Sequence, residues 1–230
     1  MMNKNTKAMS AILLMTAMII TTGCKTSSLF SKKHAYVDLG LPSGTLWATC
    51  NVGASAPEEY GDYFAWGETC PKKIYNWSTY KYYNAESKRI TKYCTKSDYG
   101  NQGFTDDLTV LQHEDDAATV NWGSDWRTPT DAEWKELYNS CTSMWTTQNG
   151  VKGILFTGPS GKRIFLPAAG GFWDDEFDRI DLGDYWSSSL IITGPDIAYR
   201  FFFDDREKFN GVMGSYRFCG QPVRPVRSRY

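Results

Sequence analysis

The stretch Trp126–Cys141, WRTPTDAEWKELYNSC, decides how the rest of the chain is read. Thr130 followed three residues later by Glu133 forms a capping box. The threonine hydroxyl accepts from the Glu133 amide, and the Glu133 carboxylate accepts from the amide of Thr130. Pro129 stands just before the cap, where it can staple against Trp134. Asp131 and Glu133 put negative charge at the positive end of the helix dipole. Beyond the cap, Trp134, Leu137, Tyr138 and Cys141 fall at i, i+3, i+4 and i+7, one face of a helix. The segment is a short amphipathic helix with one apolar stripe. The remainder reads as strand and loop, so the stripe is expected to cover a sheet core. The class is α+β, with twisted antiparallel sheets, one or two short helices and long loops.

Upstream, residues 1–23 read as a targeting signal. Lys4 and Lys7 make a basic start, and the apolar run Met9–Ile20 is too short to span a bilayer. Gly23-Cys24 follows where that run stops and resembles a bacterial lipobox, with Cys24 as the lipidated first residue of the exported chain. The expected partner of this end is a membrane, through the lipid. Residues 24–35 read as a polar tether that includes His34. The folded domain is expected over 36–230.

Without Lys4 and Lys7 the chain holds 23 basic against 26 acidic residues, about −3 net. Nucleic-acid binding needs a basic footprint and is not expected. All nine Trp but only two of seven Met lie beyond the signal, as in a rigid, loop-rich β fold. Five cysteines follow Cys24: Cys50, Cys70, Cys94, Cys141 and Cys219. Export permits disulfides, and an odd number leaves at least one thiol unpaired within the monomer; the pairing stays open. No zinc-type spacing accompanies them, so no metal or cofactor is expected.

Strands are expected at Tyr36–Leu39, Thr45–Val52, Arg163–Pro167, Tyr185–Leu190, Ile197–Asp204 and Tyr216–Arg227, with Thr69–Gly103 as long loops. The segments VDLGLPSGTLWATCNVGASAPEEYGDYFAWGE, EDDAATVNWGSDWRTPTDAEW, IFLPAAG, YWSSS and GQPVRPV stand in that order. Together they resemble the Fibrobacter succinogenes major paralogous (FISUMP) domain over about 36–227, a family abundant among exported lipoproteins of Bacteroides-type bacteria. The resemblance implies a C-type-lectin-like fold related to the formylglycine-generating-enzyme branch, and an outer-membrane lipoprotein. It also implies a candidate target of a diversity-generating retroelement, whose variation would fall in the C-terminal third. A locus without a reverse transcriptase and without a near-repeat differing at adenines would remove that expectation.

Chemistry is sparse. There are two histidines, His34 and His113. No Ser-His-Asp or Cys-His set assembles, and Ser187–Ser189 are expected to hydrogen-bond a strand or turn. The acids between Asp106 and Asp116 lack calcium-loop spacing and read as helix capping and a solvated turn. Formylglycine-type oxidation needs a copper-binding cysteine pair near the C-terminus, where only Cys219 stands. The chain is therefore not expected to be an enzyme.

A binding surface is the stronger expectation. Period two in Tyr199–Asp204 puts Tyr199, Phe201 and Phe203 on one side and Arg200, Phe202 and Asp204 on the other. With the first set inward, Phe202 stands exposed between two charges, a composition that binding hot spots use. The acidic and aromatic run Phe172–Asp181 adds Trp173, Asp175, Phe177 and Arg179, and Ile191 belongs to an apolar loop tip. The expected function is capture of a protein or glycan ligand by a lipid-anchored envelope protein. The alternatives are a structural, fimbria-like surface subunit and, less favoured, a formylglycine-generating-type enzyme.

Overall fold

The computed structural model describes residues 34–177, 181–206 and 209–229. The expected signal, Cys24 and Arg179 lie outside them. Three short strands come first, β1 (Tyr36–Asp38), β2 (Leu46–Ala48) and β3 (Tyr63–Phe64), then a small hairpin, β4 (Tyr83–Asn84) and β5 (Arg89–Ile90). Two helices follow, α1 (Ala117–Trp122) and α2 (Asp131–Ser140). The strands β6 (Thr142–Gln148), β7 (Val151–Thr157) and β8 (Arg163–Pro167) form one antiparallel sheet. After a hairpin, β9 (Phe172–Trp173) and β10 (Glu176–Phe177), come β11 (Leu182–Leu190), β12 (Ile197–Asp204) and β13 (Phe209–Tyr216), a second antiparallel sheet. Last are β14 (Gln221–Pro222), which pairs with β3, and β15 (Val226–Arg227), which pairs with β2. The class is α+β, mostly antiparallel sheet with few, short helices.

The helix over the sheet is as the stripe predicts. Thr130 Oγ1 accepts from the Glu133 amide at 3.2 Å, and Glu133 Oε2 accepts from the Thr130 amide at 2.9 Å. Arg127 adds a two-pronged grip on the same carboxylate, at 2.6 Å on each oxygen. Burial alone would raise the Glu133 carboxyl, but the Arg127 fork and the Thr130 bonds outweigh it and hold it below its ordinary value. Trp134 stacks on Phe201 at 4.9 Å and meets Trp47 at 4.7 Å, and Leu137 is fully buried beside it. The stripe is narrower than its spacing suggests. Tyr138 is exposed and Cys141 half-buried, because Trp134 and Leu137 already cover the sheet face carrying Tyr185, Phe201 and Phe203.

The sheet β11–β13 is covered on both faces. Tyr185, Phe201 and Phe203 join the core beneath α2, while Trp186, Leu190 and Ala198 join a second core with Trp66, Tyr75, Tyr80, Tyr93 and Phe218. That is why β11 is buried at all nine positions and shows no alternation. Buried cations tie distant segments into this second core. Arg217 donates to Tyr80 Oη (2.8 Å) and to the carbonyls of Pro195 (2.7 Å), Lys92 (3.0 Å) and Tyr93 (3.1 Å). Its guanidinium lies 4.8 Å from the Trp66 ring. Arg224 holds Asn51 Oδ1 (2.8 Å) and the carbonyls of Ala48 and Thr49.

Three departures from the sequence reading have physical causes. Tyr216–Arg227 is not one strand: pairing stops at Tyr216, and Arg217, Phe218 and Cys219 leave the ladder to fill the second core. The strand Phe209–Tyr216 precedes it instead. Its Gly214 lies so close under Ile191 and Ile197 that an added Cβ would come within 2.8 Å of each. His34 is not part of a loose tether, since its ring stacks on Trp122 at 3.7 Å. Among the described cysteines, Cys50, Cys94, Cys141 and Cys219 are free thiols. Among the described residues no helix is long and apolar enough to cross a membrane.

Candidate functional site

The hairpin β9–β10 carries Trp173, and the surrounding chain fixes it. Asp174 turns the backbone in the left-handed region (φ 57°), which Asp tolerates better than most residues. It exchanges backbone hydrogen bonds with Tyr75 (2.7 and 2.8 Å), and its side chain accepts from Asn76 Nδ2 at 2.7 Å. On the other side Phe172 exchanges backbone bonds with Gly220 (2.7 and 3.0 Å). Trp173 is thus held at the surface, half exposed, with its ring against Phe218 (4.7 Å) and Tyr216 (5.7 Å).

Beside Trp173 lies a cavity of about 180 Å³. Gly171 and Phe172 form one wall, and Asp184 and Arg200 come from paired strands β11 and β12. Ser215, Cys219 and Gln221 close it. Arg200 is ion-paired with Asp184, its guanidinium lies 4.9 Å from the Phe202 ring, and its second amino group meets Met213 Sδ at 3.5 Å. Gln221 is 1% exposed and donates from Nε2 to Ser215 Oγ at 2.9 Å. Two buried atoms of these wall side chains, Arg200 Nε and Gln221 Oε1, have no hydrogen-bond partner. Orphaned polar atoms of this kind are uncommon in folded proteins and cost stability. Burial pushes the Cys219 thiol up to about 11, so it is protonated at neutral pH and no ready nucleophile.

The expected site residues divide accordingly. Trp173 and Arg200 meet at this cavity, and Phe202 lies beneath the Arg200 guanidinium. Phe177 is exposed next to it, edge-on to Phe172 at 5.1 Å, and Asp175 sits exposed in the hairpin turn. Two residues do not join. Ile191 is half-buried in the β11–β12 turn, leaning over Gly214. Asp204, expected at the surface, is 1% exposed. It accepts from the Arg206 amide at 2.7 Å and shapes the β12–β13 turn. Phe202 is likewise half-buried rather than standing free. Sequence reasoning missed Asp184, Ser215, Gln221 and Tyr216. Asp184 carried a usable signal, a carboxylate beside the aromatic pair Tyr185-Trp186, where a buried charge demands a partner.

The acidic stretch Asp106–Asp116 is used by the protein itself. Asp106 accepts from the amides of Tyr93 (2.8 Å) and Cys94 (2.9 Å). Asp115 takes Lys92 Nζ (2.5 Å), Tyr93 Oη (2.8 Å), Lys81 Nζ (3.1 Å) and the Tyr82 hydroxyl. Asp116 caps α1 and accepts from Thr128. Of the serines, Ser187 Oγ accepts from the Ser189 amide at 3.1 Å, and Ser189 Oγ from the Asp131 amide at 3.2 Å. Among the described residues no group of three or more His, Cys, Asp or Glu is placed to hold a metal ion. No family model matches the chain, and no curated protein or solved structure is found to match it.

Proposed function

We propose that this chain is a non-enzymatic, lipid-anchored binding module of the bacterial cell envelope, an outer-membrane lipoprotein. In this reading it is a FISUMP-type domain with a C-type-lectin-like scaffold, and its working surface is the face around Trp173. The observation that carries it is the half-exposed Trp173, whose neighbours Asp174 and Phe172 are pinned by backbone bonds to Tyr75 and Gly220, at the lip of a cavity walled by a buried ion pair and a buried amide. A rigid aromatic beside preorganised polar groups loses little entropy on capture, which is what recognition sites exploit.

Trp173 and Tyr216 are the residues to change, since both are about half exposed and neither holds the ion pair. The full chain carrying Trp173→Ala and Tyr216→Ala is expected to keep its cooperative melt and to lose capture of glycan or protein ligands by at least about tenfold. Undiminished capture by that variant would remove the assigned face. Self-assembly of the unaltered chain without any capture would favour the structural-subunit reading.

A further inference from the structure

The cavity beside Trp173 is small, near 180 Å³, below the roughly 300–1,000 Å³ of sites for drug-sized ligands. It has room for one ring-sized unit. The charges in its wall cancel, because Asp184 and Arg200 are paired. An anionic guest would be set against the Asp184 carboxylate, and a cationic one against the Arg200 guanidinium. What remains in the wall is of mixed sense: the Ser215 hydroxyl, the buried and unpartnered Gln221 Oε1, which seeks a donor, and the buried, unpartnered Nε–H of the Arg200 guanidinium, which seeks an acceptor. In either orientation of the Gln221 amide, Ser215 serves one end and the other is left over. A hydroxyl both donates and accepts, so a polyol satisfies such a wall where a purely donating or accepting group does not.

The surface next to the cavity is aromatic. From Trp173 the rings step edge-to-face to Tyr216 (5.7 Å), edge-to-face again to the half-buried Trp77 (6.1 Å), and on to the half-buried Tyr83 (4.7 Å), tilted against it. Trp77 and Tyr83 then line a second cavity of about 220 Å³ with Lys88, Arg89 and Asp196. Each step is comparable to the length of a pyranose residue. Aromatic faces carry negative π density and attract polarised C–H groups, which a sugar ring presents on its flat side. A protein partner usually meets the reverse arrangement, an apolar centre inside a polar rim.

We infer that this polar cavity and the aromatic row Trp173–Tyr216–Trp77–Tyr83 bind a neutral, hydroxyl-rich oligosaccharide, one sugar in the cavity and its neighbours along the row. The inference rests on the binding-module reading and narrows it to one ligand class. The test uses the full acylated chain in a zwitterionic, sugar-free detergent, because an alkyl-glycoside headgroup would compete. The probes are an array of neutral oligosaccharides of increasing length, a set of uronic-acid and sulfated oligosaccharides, and a peptide array. Neutral oligosaccharides are expected to bind, with affinity rising with length. Trp173→Ala is expected to weaken every length by about tenfold or more. Tyr83→Ala should weaken only those long enough to reach the second cavity. Binding of anionic sugars alone, or neutral binding indifferent to Trp173→Ala, would overturn the inference. Peptide capture lost in Trp173→Ala, with no sugar bound, would overturn it and leave the binding-module reading standing. Failure of all three probe sets would overturn both.

Discussion

Asp115 shows what single residues do in this protein. It is 2% exposed and collects four donors from Lys81, Tyr82, Lys92 and Tyr93, which stitch the loop 81–93 to the entrance of α1. Burial by itself would raise its carboxyl, but the bonds from Lys92, Tyr82, Tyr93 and Lys81 outweigh burial and bring it to about 2. An unfolded Asp titrates near 3.9, so the ionised form is favoured in the fold. The stabilisation, about 2–3 kcal/mol, is fully present above about pH 4 and is lost as pH falls toward about 2. Asp115→Asn should cost about 3 kcal/mol at neutral pH. It should also flatten the loss of stability between about pH 4 and pH 2. Urea midpoints across pH check both. The solvated turn expected of the acids at 106–116 does not hold for Asp115 and Asp116, each 2% exposed. The presence of these acids was legible in the sequence, and so was a capping role, which falls to Asp116. That Asp115 would gather two lysines and two tyrosines was not, because those partners come from a loop 20 to 35 positions away whose path no periodicity encodes. Asp204 failed for a related reason. Alternation assigns it a face of β12 but does not say that this face is itself covered.

At the scale of elements, α2 was the most legible part of the chain. Its capping box, its charge placement and the positions of Trp134 and Leu137 all point one way, and the helix forms where they say. Leu137 is fully buried between α2 and the sheet, so Leu137→Ala removes a core side chain and leaves a cavity. It should cost about 2–5 kcal/mol in chemical denaturation, with no change in the surface around Trp173. A loss below about 1 kcal/mol would mean that α2 does not hold the sheet. The hairpin β6–β7 went unread although its signal was present: Asn149-Gly150, with φ of 48° and 84°, is the two-residue turn such hairpins favour. Strand β13 had little signal. Gly211 and Gly214 are poor strand formers, and at Gly214 an added Cβ would come within 2.8 Å of Ile191 and Ile197. The cavity inherits this difficulty, since Ser215 lies on β13 and Gln221 on the short strand after it.

Across the whole molecule, the two ends of the domain close on each other. β15 pairs with β2 through Val226 and Trp47, and Arg224 clamps the carbonyls of Ala48 and Thr49. The face around Trp173 is built from segments near residues 75, 173, 200 and 216–221, so it exists only in the completed fold. Composition and alternation indicated an aromatic-rich antiparallel scaffold with C-terminal aromatics as its working surface. They could not indicate which of those aromatics the hairpin would leave half exposed. The proposed anchor is checked separately. Mass spectrometry of the membrane-extracted protein should find an N-terminal peptide that begins at Cys24 and carries acyl chains on it, and Cys24→Ser should release the protein from membranes. A peptide with Cys24 unmodified or in a disulfide would contradict the anchor.

The central claim, that ligand is captured at Trp173, is tested most directly by the indole signals of the nine tryptophans in ¹⁵N–¹H spectra. The full chain would be titrated with a ligand recovered from the oligosaccharide and peptide arrays. The Trp173 indole should shift in a saturable way, while those of the buried Trp47 and Trp134 stay in place. A saturating ligand that leaves the Trp173 signal unmoved would contradict the account.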